Sequence, residues 1–164
     1  MSKQWDGTEF FKMMADNEKA VGTLYRQLAG DAKLGGQFFA NLAKDEDRHY
    51  DIYTGLLHKY ADSKGLTVEL DDDRSEYMDL LIKNNALRDP DKLLALVAKL
   101  TTKDEVYDVA ERAERDAVLF VEELIGLFPN LQPEDFRIVL KEEKDHLAKV
   151  IKHRMESQLT TLRL

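Results

Sequence analysis

The sequence predicts an all-α protein, a four-helix bundle with a long helical crossover between the second and third long helices. Three observations favour this fold class. Glycine and proline are sparse, with 8 Gly and 3 Pro in 164 residues, so the elements are few and long. Apolar residues recur at the spacing of an amphipathic helix, and no segment has convincing strand alternation. The length is that of one domain with a sizeable core, and we expect residues 1–164 to form it.

Helix caps and stops set the expected elements of the first half. Thr8 is a suitable cap for a first helix that runs to about residue 29. The second helix is expected over about 36–64, with Gly65 as its stop. The acidic stretch after it, 66–74, is expected to be a solvated connection.

The second half begins with two short helices and continues with two long ones. Asp89 and Pro90 are residue types that favour a helix start. The sequence from Thr102 to Glu105 has the form of a capping box. The helices expected in this half are 75–84, 90–100, 102–128 and 133–158.

Charge and composition exclude several classes of function. The chain has 24 Lys+Arg against 32 Asp+Glu, a net charge of -8, which argues against nucleic acid as a partner. The absence of cysteine excludes disulfides, iron–sulfur clusters and a four-thiolate iron site, and fits a reducing compartment. No apolar run is long enough for a signal peptide or a membrane span. We therefore expect a cytoplasmic protein without a membrane partner.

The two halves of the chain repeat one helical hairpin. Residues 17–30 align with 113–126, and after one inserted residue 39–49 align with 136–146. Each copy has a Glu followed about one hairpin later by Glu-x-x-His. The side chains that coincide are Glu18 with Glu114, Glu46 with Glu143, and His49 with His146.

This spacing predicts a site for two metal ions. Glu-x-x-His on a helix places carboxylate and imidazole on one face, where both can bind one ion. Two hairpins packed about a pseudo-twofold axis would bring four carboxylates and two imidazoles together, within otherwise apolar stripes. Two divalent ions would balance the four negative charges. Oxygen and nitrogen ligands without sulfur suit Fe or Mn, with Zn as a further choice.

A purely structural explanation of these six residues stays open, because 34% of the residues are charged and chance motifs are common. It has to account for both motifs falling at matching positions of a repeat. His58 and His153 have no Glu three residues before them, and we expect them to face solvent.

The pattern resembles the ferritin-like di-iron carboxylate proteins, and among them the rubrerythrin-like branch. Glu18-x6-Tyr25 is similar to the first-helix signature of that branch, and 45–49 is similar to its second-helix signature. The resemblance covers about 8–60 and 102–158. It implies a ferritin-like bundle with two iron ions, bridged by Glu46 and Glu143. The terminal ligands that it implies are Glu18 with His49 and Glu114 with His146.

The resemblance also implies an oxidoreductase that reduces hydrogen peroxide or O₂. The rubredoxin domain of the branch is absent, so an external donor protein would supply the electrons. Peroxide-reducing members of that branch carry an extra third-helix Glu, and here that position is Ala117. Glu111 is a second choice as terminal ligand. If Glu114 also binds, Glu111 would be a seventh ligand. An iron-handling, ferroxidase-type protein and a bundle with a structural metal remain alternatives. The sequence leaves open whether the chain forms a homodimer.

Tyr25 is the candidate catalytic residue. It lies seven residues after Glu18 on the same helix face, whereas the mirrored position holds Val121. We expect its phenol to donate a hydrogen bond to a carboxylate of the second half, Glu143, and to orient it. The alternative is a core aromatic whose hydroxyl meets a backbone carbonyl.

Overall fold

A computed structural model describes residues 1–85 and 87–162 of the chain. These residues form six helices and two short strands, so the all-α prediction is confirmed, with one small antiparallel sheet added. The elements in chain order are β1 (Lys3–Asp6), α1 (Thr8–Ala29), α2 (Gln37–Lys59), β2 (Thr67–Leu70), α3 (Asp72–Lys83), α4 (Pro90–Val97), α5 (Lys103–Leu127) and α6 (Pro133–Leu162).

The four long helices form two hairpins that pack against each other. Helix α1 packs along α2, and α5 packs along α6, while α2 contacts α6 and α1 contacts α5. The short helices α3 and α4 lie in the connection between α2 and α5, and both contact α1. Among the described residues, no helix has the length and apolar character needed to cross a membrane.

The interior contains two apolar clusters. The first includes the apolar residues of 10–15 in α1, Tyr53 and Leu56 of α2, and parts of α5 and α6 that begin at Phe120 and Phe136. The second is built from the opposite ends of the same four helices and contains Tyr25, Phe39, Tyr107 and Val150. On every long helix, a short stretch between the two clusters holds residues of the sequence repeat. These are a Glu on α1 and on α5, and a Glu with a His on α2 and on α6. These polar residues therefore occupy the middle of the interior, with apolar packing on both sides.

Two expectations at the start of the chain are wrong. Thr8 does not cap α1; the Asp6 carboxylate accepts hydrogen bonds from the Thr8 backbone and hydroxyl instead. No strand was expected, yet β1 and β2 pair antiparallel with Trp5 opposite Val68. The pairing is stable because Trp5 and Leu70 are buried against the first cluster. Four-residue strands are too short to show a reliable alternation.

The connection after α2 also differs from the expectation. Helix α2 ends at Lys59 rather than near residue 64, because the chain turns there to lead into β2. The stretch 66–74 is not simply solvated, since Leu66 and Leu70 are buried. Its acidic run begins α3, where the Asp71 carboxylate accepts a hydrogen bond from the backbone of Arg74.

The starts of α4 and α5 agree with the predictions from the sequence. The Asp89 carboxylate caps α4, with proline in its first turn, and the capping box of Thr102 and Glu105 is present at the start of α5. Helix α4 ends at Val97, three residues before the expected end, and α6 continues to Leu162, beyond the expected residue 158.

The two remaining histidines differ from each other. His58 is exposed, as expected. His153 is half-buried, and its ring lies 4.0 Å from that of Phe38, centroid to centroid. The expectation that His153 faces solvent is therefore wrong, because the α6 face that carries it packs against the start of α2.

We predict that Thr102→Ala lowers the free energy of unfolding by about 1 kcal/mol, because the α5 amide of Glu105 loses its side-chain acceptor. Urea unfolding of the variant and of Thr101→Ala measures the effect. Thr101 contributes only its backbone amide to this cap, so its variant should unfold like the parent. Equal losses in the two variants would contradict the capping role.

Candidate metal centre

The structure brings the six residues of the repeat together in the middle of the interior. Two groups form, each with one ligand atom per residue and all of those atoms within 4.8 Å of one another. Glu46 and Glu143 belong to both groups. The first group adds Glu18 and His49, and the second group adds Glu114 and His146.

All six side chains are buried, and several of their polar atoms have no hydrogen-bond partner. Even the most accessible of the six, Glu18, is only 5% exposed. Buried polar atoms are nearly always hydrogen-bonded in proteins, so several unpartnered ones on one cluster are a feature that fits a bound cation. The unpartnered atoms of the cluster are Glu46 Oε1, both carboxylate oxygens of Glu143, His49 Nδ1 and His146 Nδ1.

The electrostatics of the cluster show what the fold must compensate. Burial, together with the charges of Glu143 and Glu46, raises the pKa of Glu18 far above its usual range. Burial and the charge of Glu46 raise the pKa of Glu114 to about 8. Glu114 therefore retains its proton at neutral pH unless a cation replaces it.

The two imidazoles are shifted toward their charged forms, whereas Glu18 and Glu114 are shifted toward their neutral forms. Burial alone would lower the pKa of His49, but the neighbouring carboxylates of Glu143, Glu18 and Glu46 outweigh it and raise that pKa strongly. The pKa of His146 is raised in the same way by Glu114, Glu143 and Glu46. For Glu46, burial is outweighed by the two nearby imidazoles of His146 and His49, and its pKa is lowered. Positive charge is thus favoured throughout the cluster.

The donor set fits a pair of divalent transition-metal ions. Four carboxylates and two imidazoles offer oxygen and nitrogen without sulfur, which suits Fe, Mn or Zn. Both His Nδ1 atoms lie on the cluster side, within 3.1 Å of Glu143 Oε1 for His49 and of Glu46 Oε1 for His146. The shared carboxylates could bridge two ions, with one imidazole for each.

The Nε2 atom of each imidazole, on the side away from the cluster, contacts a carboxylate of the opposite hairpin. His49 Nε2 lies 2.7 Å from Glu142 Oε2, and His146 Nε2 lies 3.0 Å from Asp45 Oδ2. Such a contact selects the tautomer that leaves Nδ1 free to bind a metal. The guanidinium of Arg48 donates to both carboxylates, at 3.0 Å to Asp45 and 2.8 Å to Glu142.

Sequence reasoning missed these outer carboxylates, although the repeat contained a signal for them. An acidic residue precedes the bridging Glu in both copies, as Asp45-Glu46 and as Glu142-Glu143. Their pKa values are lowered: burial opposes this, but bonds to His146 and Arg48 outweigh it for Asp45, and bonds to Arg48 and His49 outweigh it for Glu142.

Tyr25 donates a hydrogen bond to Glu114, so the expected partner Glu143 is wrong while the expected half of the chain is right. The reason is that Tyr25 belongs to the second cluster, which at this level includes Ala110 and Ala113 of α5. Its hydroxyl therefore reaches the α5 carboxylate of the next turn. The alternative of a backbone carbonyl partner is also wrong.

Glu111, the second choice as ligand, lies outside the cluster. Its carboxylate is 2.8 Å from Arg115 and 3.1 Å from Arg154, in ion pairs on the α5 and α6 surface. The hydrogen bond from Arg115 is the main cause of its lowered pKa. Ala117 lines a small cavity that also contacts Glu114.

That cavity is separated from a larger surface groove by a thin wall. Asn17 and Leu87 line both the cavity and the groove. The amides of Asn17 and Asn85 exchange two hydrogen bonds, of 3.2 and 2.7 Å, and both residues are buried. Small molecules would therefore meet this amide pair between the groove and the cluster.

Comparison with known proteins adds no relative. No model of a protein family matches the chain, and neither a curated protein nor a solved structure matches it. The argument for function therefore depends on the site itself.

We predict that the metal-free protein loses stability as the pH rises from 5 to 8. Groups with raised pKa, such as Glu114 and both ligand histidines, bind more protons in the folded than in the unfolded state, so stability falls by about 1.4 kcal/mol per pH unit for each proton. Urea unfolding with EDTA at pH 5, 6.5 and 8 measures this trend.

Glu114→Gln tests the contribution of this carboxyl, because an amide does not titrate. The stability of this variant should depend less on pH than that of the parent. With Mn²⁺ present the metal should replace the protons, so the stabilisation by metal should increase with pH. Metal-free stability that rises between pH 5 and 8 would contradict the assignment.

We predict that Glu142→Gln and Asp45→Asn each weaken metal binding by roughly 10- to 100-fold, because one imidazole loses its orienting acceptor. Calorimetric titration with Mn²⁺ measures the affinities. Asp47→Asn is the matched control on α2, because its ion pair with Arg26 lies at the surface. Losses no larger than in Asp47→Asn would show that the outer carboxylates do not support the ligands.

Proposed function

We propose that the chain is a ferritin-like four-helix bundle of the rubrerythrin-like type, with two iron ions at the six-residue cluster. Its proposed activity is the reduction of hydrogen peroxide or O₂, with electrons from an external donor protein. The observation that carries the proposal is the pair of overlapping ligand groups that share Glu46 and Glu143, with unpartnered atoms on the shared carboxylates and on both imidazoles.

Charge balance supports two ions rather than one. Four carboxylates buried between apolar clusters need about four positive charges, and two divalent ions supply them. Bound iron would supply Lewis-acid activation and electrons. The residues of this chain supply the rest: Tyr25 fixes the orientation of Glu114, Asp45 and Glu142 fix the imidazoles, and the apolar clusters exclude bulk water.

A second candidate function is iron handling, with ferrous iron as substrate. It is favoured by Ala117, because the cavity beside Glu114 lacks the extra carboxylate expected of peroxide-reducing relatives, and Glu111 is engaged by arginines. A purely structural metal is the third alternative. All three require the same metal centre and differ in the fate of ferrous iron once it is bound.

We predict two transition-metal ions per chain. Glu46→Ala should lower the affinity of both sites because the carboxylate is shared, whereas His49→Ala should weaken mainly one. Elemental analysis and calorimetry measure stoichiometry and affinity. Glu122→Ala is the control, since that carboxylate pairs with Lys144 at the surface. A parent protein with one tight site would contradict the two-metal centre.

We predict that sustained turnover on hydrogen peroxide or O₂ requires an added electron carrier, because the chain has no cysteine for a thiolate-bound iron centre of its own. Stopped-flow absorbance after addition of two ferrous equivalents distinguishes the candidates. Catalytic turnover with a carrier supports the oxidoreductase, and one round of oxidation followed by iron release supports iron handling. The absence of oxidation supports a structural metal, and sustained turnover with NADH alone contradicts the requirement for a carrier.

A further inference from the structure

Tyr53 has a buried hydroxyl that no residue of the described chain satisfies. The side chain is fully buried, and its hydroxyl oxygen has no hydrogen-bond partner. Its ring is held in place by stacking on Phe136, with the centroids 6.2 Å apart. An unpaired buried hydroxyl costs about 1–3 kcal/mol, so its retention calls for a physical reason.

The position of Tyr53 places this hydroxyl beside the metal centre. It follows Glu46 by seven residues and His49 by four on α2, which puts all three on one helix face. Burial raises the pKa of the phenol, and the charges of Glu18, Glu143 and Glu46 raise it further. None of these carboxylates accepts a hydrogen bond from it. The phenol is therefore close to the carboxylates without being paired to them.

The two tyrosines of the site differ in the use of their hydroxyls. Tyr25 belongs to the second cluster and donates to Glu114, a ligand of the group that contains His146. Tyr53 belongs to the first cluster, and Glu18 of the other group is the carboxylate that affects it most. The repeat offers no third phenol, because the mirrored positions are Val121 and Val150.

We propose that the Tyr53 hydroxyl binds a small oxygen ligand, hydrogen peroxide, dioxygen or the water that they displace, at the Glu18 and His49 end of the centre. This inference rests on the proposed metal centre. A ligand between the phenol and the carboxylates would satisfy the unpaired hydroxyl, and Tyr53 would then touch substrate directly. Val150 cannot donate in this way, so the two ends of the centre are not equivalent and substrate binds at one of them.

The test compares Tyr53→Phe with Tyr25→Phe, two variants that each remove one oxygen atom. The first measurement is thermal unfolding of the metal-loaded proteins. Tyr53→Phe should lower the melting temperature less than Tyr25→Phe does, because it removes no hydrogen bond to a protein group. Tyr25→Phe should melt lower, because Glu114 loses its donor. A loss for Tyr53→Phe as large as that for Tyr25→Phe would show that its hydroxyl already has a protein partner, which overturns the proposal.

The second measurement is the affinity of ferric-loaded protein for azide, a small anion that accepts hydrogen bonds as peroxide does. Titration followed by absorbance should give a dissociation constant roughly tenfold higher for Tyr53→Phe than for the parent, as expected for one lost hydrogen bond. Tyr77→Phe should stay within about twofold of the parent, since its hydroxyl pairs with Glu123 at the surface, away from the centre. Equal azide affinity in Tyr53→Phe and the parent overturns the proposal.

Metal content separates this proposal from the one on which it rests. Parent protein that binds no iron contradicts the metal centre, and the ligand site fails with it. Parent and Tyr53→Phe proteins that both hold two ions and bind azide equally contradict the role of Tyr53 alone. Two ions in both proteins, with weaker azide binding only in Tyr53→Phe, support the proposal.

Discussion

The constraint on which the structure depends is the burial of four carboxylates and two imidazoles between two apolar clusters. Each of the four long helices contributes to this layer, so the helices cannot shift along their axes without separating groups that must neutralise one another. Apolar packing on both sides makes the layer dry, which strengthens every interaction within it. The same dryness makes uncompensated charge costly, so the site acts as both a stabilising and a destabilising element, depending on what fills it.

The internal repeat explains why the ligands are so symmetric and why their surroundings are not. The ligand pairs Glu18 with Glu114 and Glu46 with Glu143 occupy matching positions of the two hairpins. Both phenols, Tyr25 and Tyr53, come from the first hairpin, and valines stand at the mirrored positions. A symmetric ligand set can hold two equal ions, whereas chemistry at one end needs a polar group that the other end lacks. The two phenols beside the cluster are therefore the groups that could make two bound ions differ from each other.

Sequence reasoning predicted that the six residues of the cluster lie together, because helical periodicity and the repeat fix which residues share a face. The capping box at Thr102 was equally predictable, since it depends on residues three positions apart. The partner of Tyr25 was not, because it depends on which turn of α5 lies opposite, a detail set by packing. The β1–β2 pairing was missed because its stability comes from the joint burial of Trp5 and Leu70, which lie far apart in the sequence. Local patterns carry no such information.

The outer network shows how few charges suffice to hold the imidazoles. Asp45 and Glu142 come from opposite hairpins, yet the single guanidinium of Arg48 contacts both. In the repeat, Arg48 aligns with Asp145, which instead pairs with Lys149 on the surface. One guanidinium nitrogen, Arg48 Nη2, donates to both carboxylates, so a single charge lies between them and links them. The orientation of His49 and His146 is thus coupled through one residue, and the two halves of the cluster share this support as well as Glu46 and Glu143.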